Sequence, residues 1–425
     1  MASARESAWQ VLNRCDAGGQ YSNIALDTAI KRSELNDADR GLLTALVYGV
    51  LERRLTLDAC LETLASHGTG DLPIEIRNLL RMGIYQMAFL DRIPDHAAVN
   101  ETVAMAPRRY RGFVNAILRA FVRNGKRLSY PDRENDPMEY LSVRYSFCPE
   151  ICEAFVASFG FARTEELFLG FEKEPPLTVR VNTLKISRAA LIERWRADGL
   201  RVEVTRESEN GIHVLDKTPL SGLYGFEEGL FFVQDEASQL CVKALDAKRG
   251  MRVLDACACP GSKSFGAAID MENEGSVTAC DLHKNKLSLV TSGARRLGIS
   301  ILDVMERDAR EENGAWLGAF DRVLCDVPCS GFGVFAKKPE LRYKDPLESA
   351  RLPEIQADIL DNASTYVKTG GKLVYSTCTL LPRENEDNVA AFLERNEAFE
   401  PVEQRTLTPD RDGTDGFFYA VLIKK

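Results

Sequence analysis

The chain has 425 residues and a formal net charge of −9, and 45% of its residues are hydrophobic and 28% charged. This length exceeds one ordinary hydrophobic core and predicts two or three domains. No apolar run approaches the roughly 20 residues that a membrane helix needs, and the negative charge argues weakly against a general nucleic-acid binder.

The N-terminal segment MASARESAWQVLNRC is typical of an amphipathic helix and not of a secretory signal, so we expect a cytoplasmic protein. In that reducing compartment the eleven cysteines are expected to be free thiols. None of the close cysteine pairs has the spacing of a zinc knuckle, and the four histidines stand apart from them. The sequence therefore predicts no bound metal.

Residues 1–130 carry almost no strand signal, and apolar residues recur there with the period of a helix, which predicts a helical bundle. This region has 17 Lys and Arg against 14 Asp and Glu, whereas the rest of the chain is acidic. Its last segment, residues 108–127, holds seven cations and no acid, a composition that suits RNA phosphates or, alternatively, a solvated helix face. The seven cations are Arg108, Arg109, Arg111, Arg119, Arg123, Lys126 and Arg127.

Residues 131–230 begin with a linker rich in Pro, Asp and Asn and continue as strand, helix and strand, which predicts a small α+β region. Arg180 alternates with apolar neighbours in the first of these strands. Contact with RNA and a surface salt bridge are equally good interpretations of this arginine.

Residues 231–425 alternate strands with helices, the pattern of a doubly wound, mostly parallel α/β sheet. The predicted strands are MRVLDAC, GSVTACD, ISILDVME, FDRVLCDV and KLVYST. Ligands bind such sheets at the carboxyl ends of the strands. An acid at one strand end is ordinarily a helix cap, but four acids at successive ends indicate a ligand site. These acids are Asp255, Asp281, Asp308 and Asp326.

The first of these strands continues as DACACPGSKSFGAA, in which a Pro-Gly turn opens a helix. The segment has neither GxGxxG nor GxxxxGK[ST], which argues against NAD and ATP. Asp281 follows Gly261 by twenty residues, a distance at which a carboxylate accepts hydrogen bonds from ribose hydroxyls in this architecture. The pattern predicts a nucleoside-containing cofactor.

Two cysteines follow strands in RVLCDVPCSGFGVF and VYSTCTLLPRENE, namely Cys329 and Cys378. From position alone, a cysteine there is a nucleophile, a metal ligand or a small apolar filler. Cys325 lies inside its strand and is expected in the core.

The segments DACACPGSK, CDVPCSG and VYSTCTLLPRENE resemble motifs I, IV and VI of the RNA 5-methylcytosine methyltransferases. The helical region that ends in GFVNAILRAFVR resembles NusB. Together the resemblances cover nearly the whole chain and imply a NusB-like bundle over 1–130, the small α+β region over 131–230, and a Rossmann-like, seven-stranded methyltransferase domain over 231–425. They point to the bacterial members that methylate a cytosine in 16S ribosomal RNA, free or within an assembly intermediate, and we expect a monomer.

The resemblance also implies that S-adenosylmethionine is the cofactor and that a known set of positions binds it, with Asp281 on the ribose and Asp308 near the adenine. The implied cofactor-binding residues are Cys257, Ala258, Cys259, Pro260, Gly261, Ser262, Lys263, Asp281, Asp308 and Asp326. The family usually has Cys-Ala-Ala-Pro-Gly-Gly-Lys in this loop, so Cys259 and Ser262 are departures. Ser262 fits only if that position does not need positive φ.

Carbon 5 of cytosine is a poor nucleophile until a thiolate adds at carbon 6. The resemblance implies that Cys378 makes this attack, although DNA cytosine methyltransferases use the Pro-Cys residue, which would select Cys329. It assigns Cys329 to resolution of the adduct. Asp326 would hold the cytosine edge, at least transiently protonated, and Lys263 would orient Asp326. The cytosine must be unpaired or flipped.

Three alternatives remain open from the sequence. The same chemistry could act on 23S ribosomal RNA or transfer RNA. The chain could instead be an RNA-binding protein with an inactive methyltransferase domain, or a methyltransferase for small molecules. Retention of both cysteines argues against the second alternative, and the basic helical region argues against the third.

Overall fold

The structure is a computed structural model that describes residues 2–18, 22–65 and 68–425. The chain forms two compact units: unit 1 contains Met1–Glu172 and Phe335–Pro346, and unit 2 contains Lys173–Val334 and Leu347–Lys425. This division differs from the predicted boundaries at residues 130 and 230, because three further helices pack within unit 1 and the small sheet belongs to unit 2. Among the described residues, no helix has the length and apolar character needed to cross a membrane.

Unit 1 is built from helices, as predicted for its N-terminal part. They are α1 (Ala4–Gly18), α2 (Ser22–Arg32), α3 (Asp37–Glu52), α4 (Arg54–Leu64), α5 (Ile74–Phe89), α6 (Asp95–Met105), α7 (Arg111–Arg123), α8 (Pro137–Tyr145), α9 (Pro149–Phe159) and α10 (Phe161–Gly170). Helix α7 shows why the bundle forms. Val114, Ile117, Leu118 and Phe121 recur every three or four residues and are buried, so the cations between them face outward.

Unit 1 also takes in the segment Phe335–Pro346, which is anchored by a buried arginine. Arg342 donates to the backbone oxygens of Tyr145, at 2.9 Å, and Phe171, at 3.1 Å. Its guanidinium lies 4.4 Å from the centre of the Phe147 ring. A charge this deeply buried is tolerated because hydrogen bonds and the ring face compensate for lost water.

Unit 2 begins with a four-stranded antiparallel sheet in the order β2-β3-β1-β4. Its elements are β1 (Leu177–Val181), α11 (Arg188–Ala197), β2 (Val202–Val204), β3 (Gly211–Val214) and β4 (Phe231–Val233). The ring of Trp195 from α11 packs edge-on against Phe231 at 5.0 Å. The predicted α+β character is confirmed, and β3 and β4 are two strands that the sequence did not indicate.

The rest of unit 2 is a seven-stranded sheet in the order β10-β11-β9-β8-β5-β6-β7, which confirms the predicted fold. Its strands are β5 (Arg252–Asp255), β6 (Ser276–Asp281), β7 (Leu302–Glu306), β8 (Phe320–Asp326), β9 (Val367–Thr377), β10 (Phe399–Leu407) and β11 (Phe417–Lys424). Its helices are α12 (Glu236–Leu245), α13 (Ser262–Asp270), α14 (Lys284–Leu297), α15 (Leu352–Thr365) and α16 (Glu386–Arg395). The strands from β9 to β7 run parallel, and β10 and β11 are antiparallel to their neighbours.

Alternate residues of the central strands pack on opposite faces of this sheet. Leu324 and Val374 join the core with α12, α13 and α14. Cys325 and Tyr375 join the core with α15 and α16, so the expectation that Cys325 is a core residue is confirmed. Because both faces are covered, the accessible polar groups of the parallel strands lie at their carboxyl ends.

Candidate active site

Two cysteines meet beyond the carboxyl ends of the neighbouring strands β8 and β9. Cys329 lies in the loop that follows β8, and Cys378 comes directly after β9. Their sulfur atoms are 3.2 Å apart, and the backbone N–H of Cys378 donates to the Cys329 sulfur at 3.3 Å. Both side chains are only partly buried. A substrate atom that reaches one sulfur is therefore close to the other.

The surroundings of Cys329 favour its protonated form. The hydrogen bond with Cys378, burial and the negative charge of Glu384 raise the pKa of the Cys329 thiol well above its ordinary value. At neutral pH Cys329 is therefore a thiol, which can donate a proton or a hydrogen bond and is a weak nucleophile.

Lys263 and Asp326 form an ion pair beside the thiols. The Lys263 Nζ lies 2.6 Å from Asp326 Oδ2, and the Ser376 hydroxyl donates to Asp326 Oδ1 at 2.7 Å. Burial acts to lower the pKa of Lys263, but the Asp326 carboxylate outweighs it and raises that pKa. The Lys263 ammonium also lies 5.0 Å from the centre of the Phe417 ring. The structure thus brings Lys263 and Asp326 together, which the proposed orienting role requires.

The loop Cys257–Lys263 connects β5 to α13. Its positive φ, 111°, falls on Gly261, and Ser262 is already the first residue of α13. Serine at that position is therefore unstrained, since the conformation that glycine favours is needed one residue earlier. Because α13 begins shortly after the end of β5, its first backbone N–H groups are expected at the carboxyl edge of the sheet, where helix N-termini bind anions.

Asp281, at the end of β6, contacts this loop. Its Oδ2 accepts from the backbone N–H of Cys259 at 3.2 Å, and its Oδ1 accepts from that of His283 at 2.9 Å. Burial and the Asp281 charge raise the pKa of the Cys259 thiol to about 12. Cys259 is therefore an unreactive thiol in the loop, and its substitution for alanine keeps a small side chain.

Asp308 lies two residues beyond the end of β7 and is held by a neighbouring arginine. The Arg310 Nη2 is 2.6 Å from Asp308 Oδ2, and the backbone N–H of Arg310 donates to Oδ1 at 3.0 Å. These hydrogen bonds lower the pKa of Asp308. Asp308 is thus an ionised acceptor whose orientation is fixed.

Asp255 is buried at the end of β5, beneath the same loop. Its Oδ2 accepts from the Ser264 hydroxyl at 2.6 Å, while its Oδ1 is buried without a hydrogen-bond partner. Burial, opposed by the bond from Ser264, raises the pKa of Asp255 from 3.8 to about 7. A protonated Asp255 carries no charge at this edge.

The raised pKa of Asp255 predicts that the stability of Asp255→Asn relative to the wild type increases with pH. Between about pH 4 and pH 7 the native chain keeps a proton that the unfolded chain releases, so wild-type stability falls as pH rises. Asp255→Asn cannot ionise, and we expect its stability relative to wild type to increase by up to about 4 kcal/mol across this range. Urea unfolding at several pH values measures this, with the exposed Asp358→Asn as control. A difference that is constant with pH contradicts the burial argument.

All seven cations of residues 108–127 are exposed in unit 1, as the predicted RNA contact requires. Lys126 forms an ion pair with Asp95 of α6 at 3.1 Å, so one cation is compensated by an acid outside the segment. Arg119 and Arg123 line a groove of about 650 Å³ between α6 and α7, together with Asp95 and His96. The exposure of these cations is compatible with RNA contact, which is a proposal.

The prediction that Arg180 contacts RNA is not supported by its position. Arg180 is 3% exposed, and its Nη2 lies 2.5 Å from Asp270 Oδ1 at the end of α13. Both faces of β1 are covered. The alternation of Arg180 with apolar residues therefore does not mark an exposed face of this strand. The salt-bridge interpretation is correct, although Arg180 itself is buried and only Asp270 is partly exposed.

Three polar residues at the site were not predicted. Ser376 binds Asp326, while Glu384 and Asn385 contact the loops that carry the two cysteines. The only sequence signal was their place in VYSTCTLLPRENE, where a buried position cannot be told from an exposed one. In the described part of the chain, no group of three or more His, Cys, Asp or Glu side chains could hold a metal ion.

Comparisons with known proteins match each part of the chain. A family described as 16S rRNA methyltransferase RsmB/F matches residues 242–423, the NusB family matches residues 2–123, and an RsmF/B-like ferredoxin-like domain matches residues 151–221. The "Probable ribosomal RNA small subunit methyltransferase B" of Bacillus subtilis is 39% identical over 100% of this chain and 99% of its own length. The chain belongs to the RsmB/F family of 16S rRNA methyltransferases. This membership confirms the predicted class of enzyme, an RNA methyltransferase with a NusB-like region.

Two solved structures extend the likeness to the fold. The structure titled "Crystal Structure of PH0851" has a TM-score of 0.81, is 25% identical, and covers 98% of both chains. NSun6 from Pyrococcus horikoshii, solved with SFG, has a TM-score of 0.59 at 23% identity and covers 64% of this chain and 97% of its own. This chain and NSun6 therefore share a fold over the 64% of this chain that the comparison covers.

Proposed function

We propose that this RsmB/F family member methylates carbon 5 of a cytosine in 16S ribosomal RNA through a covalent adduct between Cys378 and the base. The observation that carries the proposal is the 3.2 Å contact between the Cys329 and Cys378 sulfurs. One sulfur suffices for attack on carbon 6, and a second is useful where the first must be released. The family model and the small-subunit relative support 16S ribosomal RNA as the substrate and hence action in the cytoplasm.

We further propose S-adenosylmethionine as the methyl donor, bound by the loop Cys257–Lys263 with Asp281 and Asp308. When bound, it supplies an electrophilic methyl group on a positively charged sulfur. The residues fit this molecule: N–H groups at the start of α13 suit its carboxylate, and Asp281 suits the ribose hydroxyls. Asp308, which Arg310 holds in place, is proposed to lie near the adenine. The acids along this edge also suit the positive sulfur.

In the first step the Cys378 thiolate adds to carbon 6 of the cytosine. A sulfur–carbon bond forms, and the electrons of the C5=C6 double bond move to carbon 5, which takes the methyl group while the bond from that methyl to the donor's sulfur breaks and leaves that sulfur neutral. Asp326 holds the N3–N4 edge of the base. It accepts from the amino group while ionised, and when negative charge develops on the ring it takes a proton from the Lys263 ammonium 2.6 Å away and donates a hydrogen bond to N3. The ion pair with Lys263 fixes its orientation.

In the second step carbon 5 gives its proton to a water molecule that reaches the partly exposed site, and the electron pair of the broken C–H bond restores the C5=C6 double bond. The sulfur–carbon bond breaks at the same time and returns the Cys378 thiolate. Cys329, a thiol 3.2 Å away, donates a hydrogen bond to the departing sulfur and assists release. Methylated RNA and free Cys378 result.

The exposed cations of residues 108–127 are proposed to hold the phosphates around the target. Neutralising four of them is then expected to make the slope of log affinity against log salt less negative by roughly 3, about 0.7 for each contact with single-stranded RNA. The variant replaces Arg108, Arg109, Arg123 and Arg127 with glutamine. Fluorescence anisotropy with a labelled RNA at several salt concentrations measures the slope. The control neutralises the exposed cations Arg194, Arg201, Lys217 and Arg249 of unit 2.

An equal change of slope in the two variants contradicts the proposal that residues 108–127 contact phosphates. An unchanged slope in both contradicts it as well. Because phosphate contacts position RNA without reading its sequence, the loss is expected to be uniform across RNAs of different sequence.

Methyl transfer to purified RNAs tests the proposed function. The full chain is incubated with S-adenosylmethionine labelled on the methyl group and with 16S ribosomal RNA, 23S ribosomal RNA or transfer RNA, and the RNA is digested to nucleosides. We expect labelled 5-methylcytidine from 16S ribosomal RNA alone. Label in 23S ribosomal RNA or transfer RNA supports the alternative substrates, and label in a different nucleoside contradicts the proposed chemistry.

A further inference from the structure

Two adjacent residues, Glu384 and Asn385, lie at the site without a role in the steps above. They follow Cys378 along the chain and precede α16, and neither side chain is exposed to solvent. A buried carboxylate and a buried amide are costly unless hydrogen bonds compensate them. These two side chains contact the residues next to the two cysteines, either directly or through the side chain of Gln356.

Glu384 holds the loop of Cys329. Its Oε2 accepts from the backbone N–H of Ser330 at 2.9 Å and from the side-chain amide of Gln356 at 2.9 Å. The same Gln356 nitrogen donates to the backbone oxygen of Pro328 at 3.0 Å. Glu384 and Gln356 thus bind the residues immediately before and after Cys329.

The Gln356 side chain is itself fixed in orientation. Its Oε1 accepts from the Asn388 amide at 3.3 Å, and the Tyr375 hydroxyl oxygen lies 3.3 Å from the same Oε1. The Tyr375 hydroxyl donates its hydrogen to the backbone oxygen of Glu384 at 2.5 Å. This network leaves Gln356 only one way to present its N–H groups, toward Pro328 and Glu384.

Asn385 holds the segment of Cys378 in a corresponding way. Its Oδ1 accepts from the Thr377 hydroxyl at 2.5 Å, and its Nδ2 donates to the backbone oxygen of Thr379 at 2.9 Å. Thr377 and Thr379 are the neighbours of Cys378 on either side. The two cysteines are thus held by consecutive residues of one short segment.

We propose that Glu384 and Asn385 are the positioning residues that set the spacing of the two thiols, Glu384 acting on Cys329 and Asn385 on Cys378. The inference deepens the proposed function and rests on its assignment of separate roles to the two cysteines. Neither residue touches the reacting atoms. Because they are consecutive in the chain, they couple the backbone beside Cys329 to the backbone beside Cys378.

The proposal predicts different defects for the two residues. Glu384→Met removes the acceptor that holds Cys329, so release is impaired: a covalent RNA adduct accumulates and multiple-turnover methylation slows by about 100-fold. Asn385→Leu frees the Cys378 segment, so attack is impaired: no adduct accumulates and the first methyl transfer slows by about 100-fold. The KM for RNA is expected to stay unchanged in both.

The chain offers a matched control for each variant. Glu236 is a buried carboxylate in unit 2 that accepts from the backbone N–H groups of Glu207 and Ser208. Asn182 is a buried amide that donates to two backbone oxygens far along the chain from the cysteines. Glu236→Met and Asn182→Leu remove comparable buried hydrogen bonds and are expected to show neither defect.

Rapid-quench methyl transfer and denaturing gels are run on all four variants and on the wild type. If Glu384→Met or Asn385→Leu does not fold, Gln356→Met and Thr377→Val remove the other half of each contact and should give the same two defects. Equal losses in both steps for both residues, or the same losses in the controls, overturn the proposal. Failure of the wild type to methylate RNA overturns instead the proposed function, so the two failures are distinguishable.

Discussion

Cys378→Ala is expected to abolish methyl transfer and to form no covalent complex with RNA. Without a thiolate at carbon 6, carbon 5 of the cytosine is not activated, and the loss is on the order of 10⁴-fold or more. RNA binding should persist, because the proposed phosphate contacts lie in unit 1. Incorporation of labelled methyl groups and a denaturing gel measure transfer and adduct. Cys325→Ala, which removes a core thiol from the preceding strand, is the matched control and should keep activity.

A Cys378→Ala variant that still forms an adduct would reverse the assignment. Cys329 would then be the nucleophile, as the Pro-Cys residue is in DNA cytosine methyltransferases.

Cys329→Ala is expected to trap the covalent adduct. Attack by Cys378 needs no group from Cys329, so the first methyl transfer proceeds, but the departing sulfur loses the thiol 3.2 Å away. We expect turnover to fall by about 100-fold or more while a slow-migrating protein–RNA species appears on denaturing gels. The double variant Cys329→Ala/Cys378→Ala should show no such species.

If Cys329→Ala shows neither slower turnover nor a slow-migrating species, Cys329 has no part in release. If the species appears in the double variant too, the bond to RNA is not made by Cys378. Mass spectrometry of the digested adduct identifies the peptide that carries the nucleotide and separates these cases.

Much of the catalytic fold could be predicted because its strands are buried on both faces. The segments of β5, β6 and β8 are short apolar runs that end in acids, and the helices between them have apolar periodicity. Strand β10, with the sequence FEPVEQRTL, could not be recognised. It lies at the edge of the sheet and most of its residues are exposed, so its pattern is polar and depends on pairing with β11.

The reactive and charged residues of the candidate site could be predicted where they lie at the ends of strands. Four of these residues lie at or just after the ends of parallel strands, and the topology of such a sheet brings those ends to one edge. They are Asp281, Asp326, Cys329 and Cys378. The positions of Arg180 and Glu384 depend instead on tertiary packing. Arg180 alternates with apolar residues as a surface residue would, yet a second layer of structure covers it, and nothing in PRENE distinguishes a buried glutamate from an exposed one.

Bisulfite sequencing of ribosomal RNA tests the central claim most directly. RNA is taken from cells that lack this protein and from the same cells supplied with the wild type or with Cys378→Ala. We predict that one cytosine of 16S ribosomal RNA resists conversion with the wild type and is converted in its absence and with Cys378→Ala. If no cytosine depends on the protein for its resistance, or if one resists with Cys378→Ala but not in the absence of the protein, methylation through Cys378 is contradicted.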